Sequence, residues 1–416
     1  MKIPRDRYLR ELIIRKWNGM AKVITGIRRC GKSYLLTNLF MDHLLSEGVA
    51  RDHIIDIDLD TLENRKYRDP EVLYARILDS MKGGGEYYVF LDEVQLVDDF
   101  ESLINSLLRK GNVDVYVTGS NSKMLSTGII TEFRGRGDEI RVRPLSFSEF
   151  ATVFDGDVRE AWREYMVFGG MPELFNLATE GQKSEYLKML VEGIYLRDIR
   201  DRHTIMRPAA LDAIVDVLSS AIGSLTNPTR LRNVMFSKGY EAIDENTVAN
   251  YIRYLEDSFL FEESKRFDVK GNSYFDTPLK YYSVDVGLRN ARLNFRQTEY
   301  AHIMENILYN ELRSRGFHVD VGVVPYRGKI DGKAQYVQLE IDFVANKGSQ
   351  KYYVQSAYSL PDQGKTEQEL RPLSNVRDSF KKIVVTGDDI PPSRNEQGIV
   401  FMNVIDFLLN PNSLEY

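Results

Sequence analysis

One octapeptide constrains this chain more than any other feature: Gly26-Ile27-Arg28-Arg29-Cys30-Gly31-Lys32-Ser33 fits G-x-x-x-x-G-K-[ST] at every defined position. The two glycines permit a tight backbone path that turns successive N–H groups inward. A helix N-terminus behind such a loop favours negative charge. The flanks agree, because Ala21 to Thr25 is a short apolar strand and Ser33 to Leu45 has a helical pattern. Strand, glycine loop and helix in that order predict a phosphate-binding P-loop. Lys32 is expected to reach the β- and γ-phosphates of a nucleoside triphosphate, and Ser33 to ligate Mg²⁺. ATP with Mg²⁺ is the expected ligand pair, contacted by Gly26, Ile27, Arg28, Arg29, Cys30, Gly31, Lys32, Ser33 and Tyr34. Arg28 and Arg29 either hold phosphate or face another part of the protein. Cys30 is either a small residue that fits or a thiol activated by the helix end.

Further strands follow. Ile54 to Leu59, Tyr87 to Leu91 and Val113 to Thr118 read as strands, separated by helical patterns at 71–81 and 100–110. Short strands alternating with helices predict a parallel sheet covered on both faces. Tyr87-Tyr88-Val89-Phe90-Leu91 ends in Asp92-Glu93. Two carboxylates at the end of a buried strand are costly unless a cation or water uses them. After a P-loop, Asp92 is expected to hold Mg²⁺ and Glu93 to polarise the attacking water. The next strand ends at Thr118-Gly119-Ser120-Asn121, where ligands bind in open α/β sheets. Asn121 or Ser120 is a candidate contact to the γ-phosphate. Arg134 and Arg136, in Phe133-Arg134-Gly135-Arg136-Gly137, are candidates for stabilising the transition state, in cis or from a neighbouring subunit of a homo-oligomer.

The alternation stops near Pro144. Residues 145–265 are mostly helical by pattern, Lys265 to Asp285 suit a hairpin around Gly271-Asn272, and a helix at 299–315 precedes strand-like segments near 317–324, 335–344, 351–358 and 382–386. The expected domains are 1–150, 151–295 and 296–416. The chain has 416 residues with a net charge of −6, which argues against a protein basic all over but not against a local basic stripe. Its single cysteine excludes an intrachain disulfide, and its five scattered histidines give no zinc spacing. No apolar run approaches the ~20 residues of a membrane helix. No membrane partner is expected, and a cytoplasmic location is.

The ordered set GIRRCGKS, YYVFLDEVQ, TGSNSKML, FRGR and RPLSFSEF, continued by YMVFGGMPE, YLRDI, TVANYIRYLEDSFLF and EIDFVANKG, resembles the AAA-type ATPases of bacteria and archaea that carry a C-terminal domain of unknown function, DUF4143. The resemblance spans nearly the whole chain. It implies an α/β protein with a P-loop NTPase core, a helical winged-helix-like middle domain and a C-terminal domain similar to restriction endonucleases.

The residues of those parts carry their own readings. Thr229 to Lys238 and Thr247 to Glu256 suit a helix-turn-helix, with Asn250, Arg253 and Tyr254 outward and Val248, Ile252 and Leu255 inward. Phe261 to Tyr282 would be a wing offering Lys265, Arg266 and Lys270 to phosphates, or a protein-contact module. Glu340-Ile341-Asp342 and the strand ending Gln355-Ser356-Ala357 resemble a PD-(D/E)xK nuclease core, with Glu305 as an accessory acid. Gln355 and Ala357 replace its second carboxylate and its lysine, so no nuclease activity is expected. The expected function is ATP hydrolysis with Mg²⁺ that drives a conformational switch. The alternative is a non-catalytic, ATP-regulated module that binds protein or DNA.

Overall fold

The structure, a computed structural model, describes residues 2–119, 135–237, 239–240, 243–296, 299–330 and 333–416, with no side chains described at 328–330 and 333–335. Asn121, Ser120 and Arg134 lie outside the described residues. The chain divides into two compact units, Met1–Pro144 with Asp257–Phe259, and Leu145–Glu256 with Leu260–Tyr416.

The first unit is built on five parallel strands: β1 (Ala21–Thr25), β2 (Ile54–Asp58), β3 (Tyr87–Asp92), β4 (Val113–Gly119) and β5 (Gly137–Arg141). Their order is β2-β3-β4-β1-β5. β1, β3 and β4 are buried along their full length, as expected of central strands with both faces covered. Alternate residues serve the two faces. Val89, Leu91, Val115 and Val117 pack with Leu73, Ile77, Leu103 and Leu107 from two helices, Pro70–Ser80 and Phe100–Leu108. On the other face the rings of Phe90 and Tyr116 lie 5.8 and 4.8 Å from Phe40, in the helical run that follows the glycine loop. That run continues through Lys32–Tyr34, a π-wound Leu35–Phe40 and Met41–Ser46. β5 escaped the sequence reading because its residues, GDEIR, are polar. It is an edge strand with Ile140 alone buried.

The second unit carries one mixed sheet of eight strands, ordered β12-β13-β11-β10-β9-β8-β6-β7. They are β6 (Phe261–Asp268), β7 (Ser273–Ser283), β8 (His318–Ile330), β9 (Lys333–Lys347), β10 (Gln350–Ala357), β11 (Lys381–Thr386), β12 (Ser393–Arg394) and β13 (Val400–Asn403). β6 and β7 form the expected hairpin, its turn fixed by Asp268, whose carboxylate accepts from the N–H groups of Lys270 and Gly271 at 2.9 Å each. The hairpin is not a detached wing, because β6 pairs with β8 in parallel. The boundary expected at 295/296 therefore falls inside one sheet. Ile341, Val344, Tyr353 and Val384 form its core with Leu373 and Val376.

Helices cover the rest of this unit. Asp285 caps the helix Val286–Arg292, accepting from Leu288 N–H at 3.1 Å and from Gly170 N–H at 2.7 Å. Burial pushes its carboxyl up to about 6, against the lowering effect of those hydrogen bonds. Among the described residues, no helix is long and apolar enough to cross a membrane.

Candidate functional site

All five strands of the first unit run the same way, so the loop after β1, the acids after β3 and the end of β4 share one sheet edge. β4 lies between β1 and β3. The glycine loop takes positive φ at Gly26 (139°), Arg29 (63°) and Gly31 (98°). Gly26 has no substitute: a Cβ there would lie 2.0 Å from the carbonyl oxygen of Val142. Lys32 is buried, and its ammonium donates to Gly26 O at 3.0 Å and Ile27 O at 3.1 Å, so the lysine is held inside the curl of its own loop. Ser33 and Arg29 are exposed, and Arg28 and Tyr34 are half-buried. The Tyr34 hydroxyl accepts from Ile3 N–H at 3.3 Å. Cys30 is fully buried, with its thiol 3.4 Å from Val142 O, which favours the reading of a small residue that fits.

Asp92 and Glu93 are joined through a residue of β4. The Thr118 hydroxyl donates to Asp92 Oδ1 and accepts from Glu93 N–H at 3.0 Å. Glu93 sits in the left-handed region, φ 52° and ψ 48°, which costs a non-glycine residue about 1–2 kcal/mol and turns the chain sharply after the strand. Gln95 Nε2 donates to the Glu93 carboxylate.

Arg136 is exposed, and its carbonyl accepts from Ala21 N–H at 2.8 Å. It stands where β5 and β1 begin, at the sheet edge opposite the glycine loop. It therefore does not reach the loop of its own chain, which goes against the reading in cis. Arg5, which the sequence did not single out, is buried behind the loop. Its guanidinium donates to Cys30 O at 3.0 Å and Arg143 O at 2.6 Å, tying the loop to the chain beyond β5.

A second cluster lies in the other unit. Glu340 and Asp342 alternate along β9, and Glu305 comes from the helix Tyr300–Ser314. All three approach Lys280 of β7, whose Nζ is 2.9 Å from Glu305, 2.8 Å from Glu340 and 3.7 Å from Asp342. Burial pushes Glu305 up, but Lys280 and hydrogen bonds from its neighbours outweigh it and hold the carboxyl below its usual range. Asp342 goes the other way: burial and then the Glu305 charge raise it well above the carboxylate range. Gln355 turns from the cluster, its Nε2 donating to Glu369 at 3.0 Å, and Ala357 belongs to the apolar core. Among the described residues, no group of three or more His, Cys, Asp or Glu is placed to hold a metal ion.

The helix-turn-helix segments are the helices Pro228–Ser237 and Glu245–Asp257. Val248, Ile252 and Leu255 face inward, and Asn250 and Arg253 are exposed. Tyr254 stacks on His203 with ring centroids 3.7 Å apart. The hairpin's basic residues have partners within the unit, though Lys265 and Lys270 are exposed. Arg266 is buried and donates to Gln338 at 2.6 Å, Lys270 donates to Pro325 O at 2.9 Å, and Lys265 lies 3.7 Å from Glu263.

Comparison with known proteins adds to this geometry. A family model described as an AAA domain matches residues 18–151, and one described as a domain of unknown function, DUF8612, matches residues 159–299. The second is not the DUF4143 that the resemblance named. An uncharacterized protein of Haemophilus influenzae is 33% identical over 413 residues, covering 98% of each chain. An uncharacterized protein of Methanocaldococcus jannaschii is 28% identical over 402 residues, covering 91% of this chain and 85% of its own. Among solved structures, the Aeropyrum pernix ORC1 protein in complex with DNA matches at 14% identity and a TM-score of 0.29, over 71% of this chain and 93% of its own. Cdc6p from Pyrobaculum aerophilum matches at 13% and 0.31, over 74% and 95%. Likenesses as loose as these two carry no argument about function.

Proposed function

Because this chain belongs to the family of its full-length Haemophilus influenzae relative and carries an AAA domain, we propose that it binds ATP with Mg²⁺ at the glycine loop and hydrolyses it to drive a conformational switch. One observation carries this reading: the loop, the Asp92–Glu93 pair and Thr118 stand at one edge of a parallel sheet, with Thr118 bonded to both acids. Backbone N–H groups of Gly26 to Ser33 and the side chain of Tyr34 would embrace the nucleotide. Lys32 would exchange its loop carbonyls for the β- and γ-phosphates. A Cβ at Gly26 would lie 2.0 Å from Val142 O, so only glycine permits the loop's tight path, which supports this reading. Ser33 and Asp92 would hold Mg²⁺, which supplies charge neutralisation on the phosphate oxygens. Glu93 would orient the attacking water.

Two substitutions test this. Lys32→Ala is expected to abolish nucleotide binding or turnover, and Glu93→Gln to trap bound ATP. Wild-type hydrolysis by both variants would refute the assignment.

The contact between Gln95 and the Glu93 carboxylate favours a second reading, in which the base is held back and ATP is a regulatory ligand of a protein- or DNA-binding module. Single-turnover hydrolysis separates the two, since ATP that stays intact for hours supports the second. For the partner, the exposed Asn250 and Arg253 of the helix-turn-helix segment are the proposed DNA or protein contact, with the nuclease-like C-terminal part as a binding scaffold. DNA contact predicts an affinity that falls steeply with salt. A flat, weak response leaves a protein partner. Arg136, with Arg134, is proposed to act across a homo-oligomer interface.

A further inference from the structure

Lys280 is the lone charge in the aromatic run Leu279-Lys280-Tyr281-Tyr282, and it is 3% exposed. A buried ammonium is tolerated only where acceptors surround it. Its Nζ stands 2.9 Å from Glu305 Oε1, 2.8 Å from Glu340 Oε1 and 3.7 Å from Asp342 Oδ1. The helix Tyr300–Ser314 and β9, far apart in sequence from β7, thus aim three carboxylates at one cation. The surrounding bonds fix that aim. Tyr282 OH donates to Glu305 Oε1 at 2.7 Å, and Ser356 N–H donates to Asp342 Oδ2 at 2.9 Å. His302 borders the same group, its Nδ1 3.8 Å from Glu305 Oε2.

We propose that this is a cation site whose occupant is built into the chain, the Lys280 ammonium filling the focus of Glu305, Glu340 and Asp342 and closing it to divalent metal ions. The inference is independent of the ATP reading. An ammonium offers three donors at hydrogen-bond length, whereas Mg²⁺ demands near-octahedral oxygens at about 2.0–2.1 Å. Both cannot share this focus. Gln355 fits the same picture, since its amide serves Asp342 N–H at 3.4 Å and Glu369 rather than the focus. With the focus filled, no metal-activated water forms between Glu305, Glu340 and Asp342.

The test is Mn²⁺ titration of the full chain without nucleotide, read by calorimetry and by thermal shift. Wild type, Lys280→Gln, Asp342→Asn and the double variant K280Q/D342N are compared. K280Q is expected to bind one Mn²⁺ at least about tenfold more tightly than wild type, and K280Q/D342N to return to the wild-type value. Wild-type Mn²⁺ binding that D342N removes overturns the inference, because the lysine would then not exclude the ion. A folded K280Q with no gain overturns it as well, because the carboxylates would then form no cation focus. If K280Q does not fold, K280Q/E340Q removes one negative charge together with the lysine. It must gain Mn²⁺ affinity over wild type, or the inference fails.

Discussion

Replacing Thr118 by valine removes one hydroxyl and nothing else of comparable size. In the wild type that hydroxyl accepts from Glu93 N–H at 3.0 Å and donates to Asp92. Valine removes both bonds, and a hydrogen bond lost by a buried acceptor such as the Asp92 carboxylate costs about 1–3 kcal/mol. Glu93 already bears the cost of its left-handed backbone, φ 52°. Without the hydroxyl to hold it, the residue relaxes toward ordinary backbone and carries its carboxylate away from the sheet edge. If the aligned state loses about 1–3 kcal/mol, hydrolysis slows by about 5- to 150-fold. Nucleotide affinity should change by less than about threefold, because the glycine loop is untouched and each tenfold needs about 1.4 kcal/mol. Thr118→Ser keeps the hydroxyl and should stay close to wild type. Single-turnover hydrolysis of pre-bound ATP measures the first quantity, and equilibrium titration with a fluorescent nucleotide the second. A T118V protein that hydrolyses at the wild-type rate would refute the reasoning, as would a T118S protein as slow as T118V.

Other outcomes follow from the same geometry. Gly26→Ala places a Cβ 2.0 Å from Val142 O, so nucleotide binding should weaken by more than about tenfold while far-ultraviolet circular dichroism is kept; wild-type affinity would contradict the close approach. Arg5→Leu frees Cys30 O and Arg143 O from their shared donor and should weaken nucleotide binding by about tenfold, measured by the same titration. The buried Asp285 carboxyl keeps its proton up to about 6 instead of 3.8, so the folded chain binds that proton more tightly than the unfolded one. Its favourable contribution is complete below the unfolded value and is lost as pH rises to the folded value, by at most about 3 kcal/mol. Asp285→Asn should flatten that part of the slope in urea melts between pH 4 and 7, and an unchanged slope would count against the burial argument.

Much of the first unit was legible because its signals are local. GIRRCGKS states its own backbone needs, and the apolar runs of β1, β3 and β4 are unbroken because both faces are covered. β5 was illegible for the opposite reason, since an edge strand has no need of apolar residues. Arg5 gave no signal, because an arginine near the start of a surface helix looks solvated and its burial depends on carbonyls 25 and 138 residues away. The three acids near Lys280 were picked out one by one, but the lysine was not. It belongs to a strand that only tertiary pairing brings to them, and the position expected to carry a lysine, 357, holds an alanine. Arg266 of the hairpin was misread for a related reason. Sequence shows charge but not its partner, and Arg266 spends its guanidinium on Gln338 and the Phe275 ring.

The pairing of β6 with β8 bears on how this protein can be divided and inherited. A gene cut at residue 295 would leave the hairpin with an open edge and strand Lys280 away from the helix and strand that neutralise it. The DUF8612 match ends at residue 299, between the hairpin and its sheet partners. Residues 159–299 are thus a recognisable stretch of sequence but not a piece that can be transplanted. The compact unit runs from Leu145 to Tyr416 apart from Asp257–Phe259, and variation on either side of 295 must be read together.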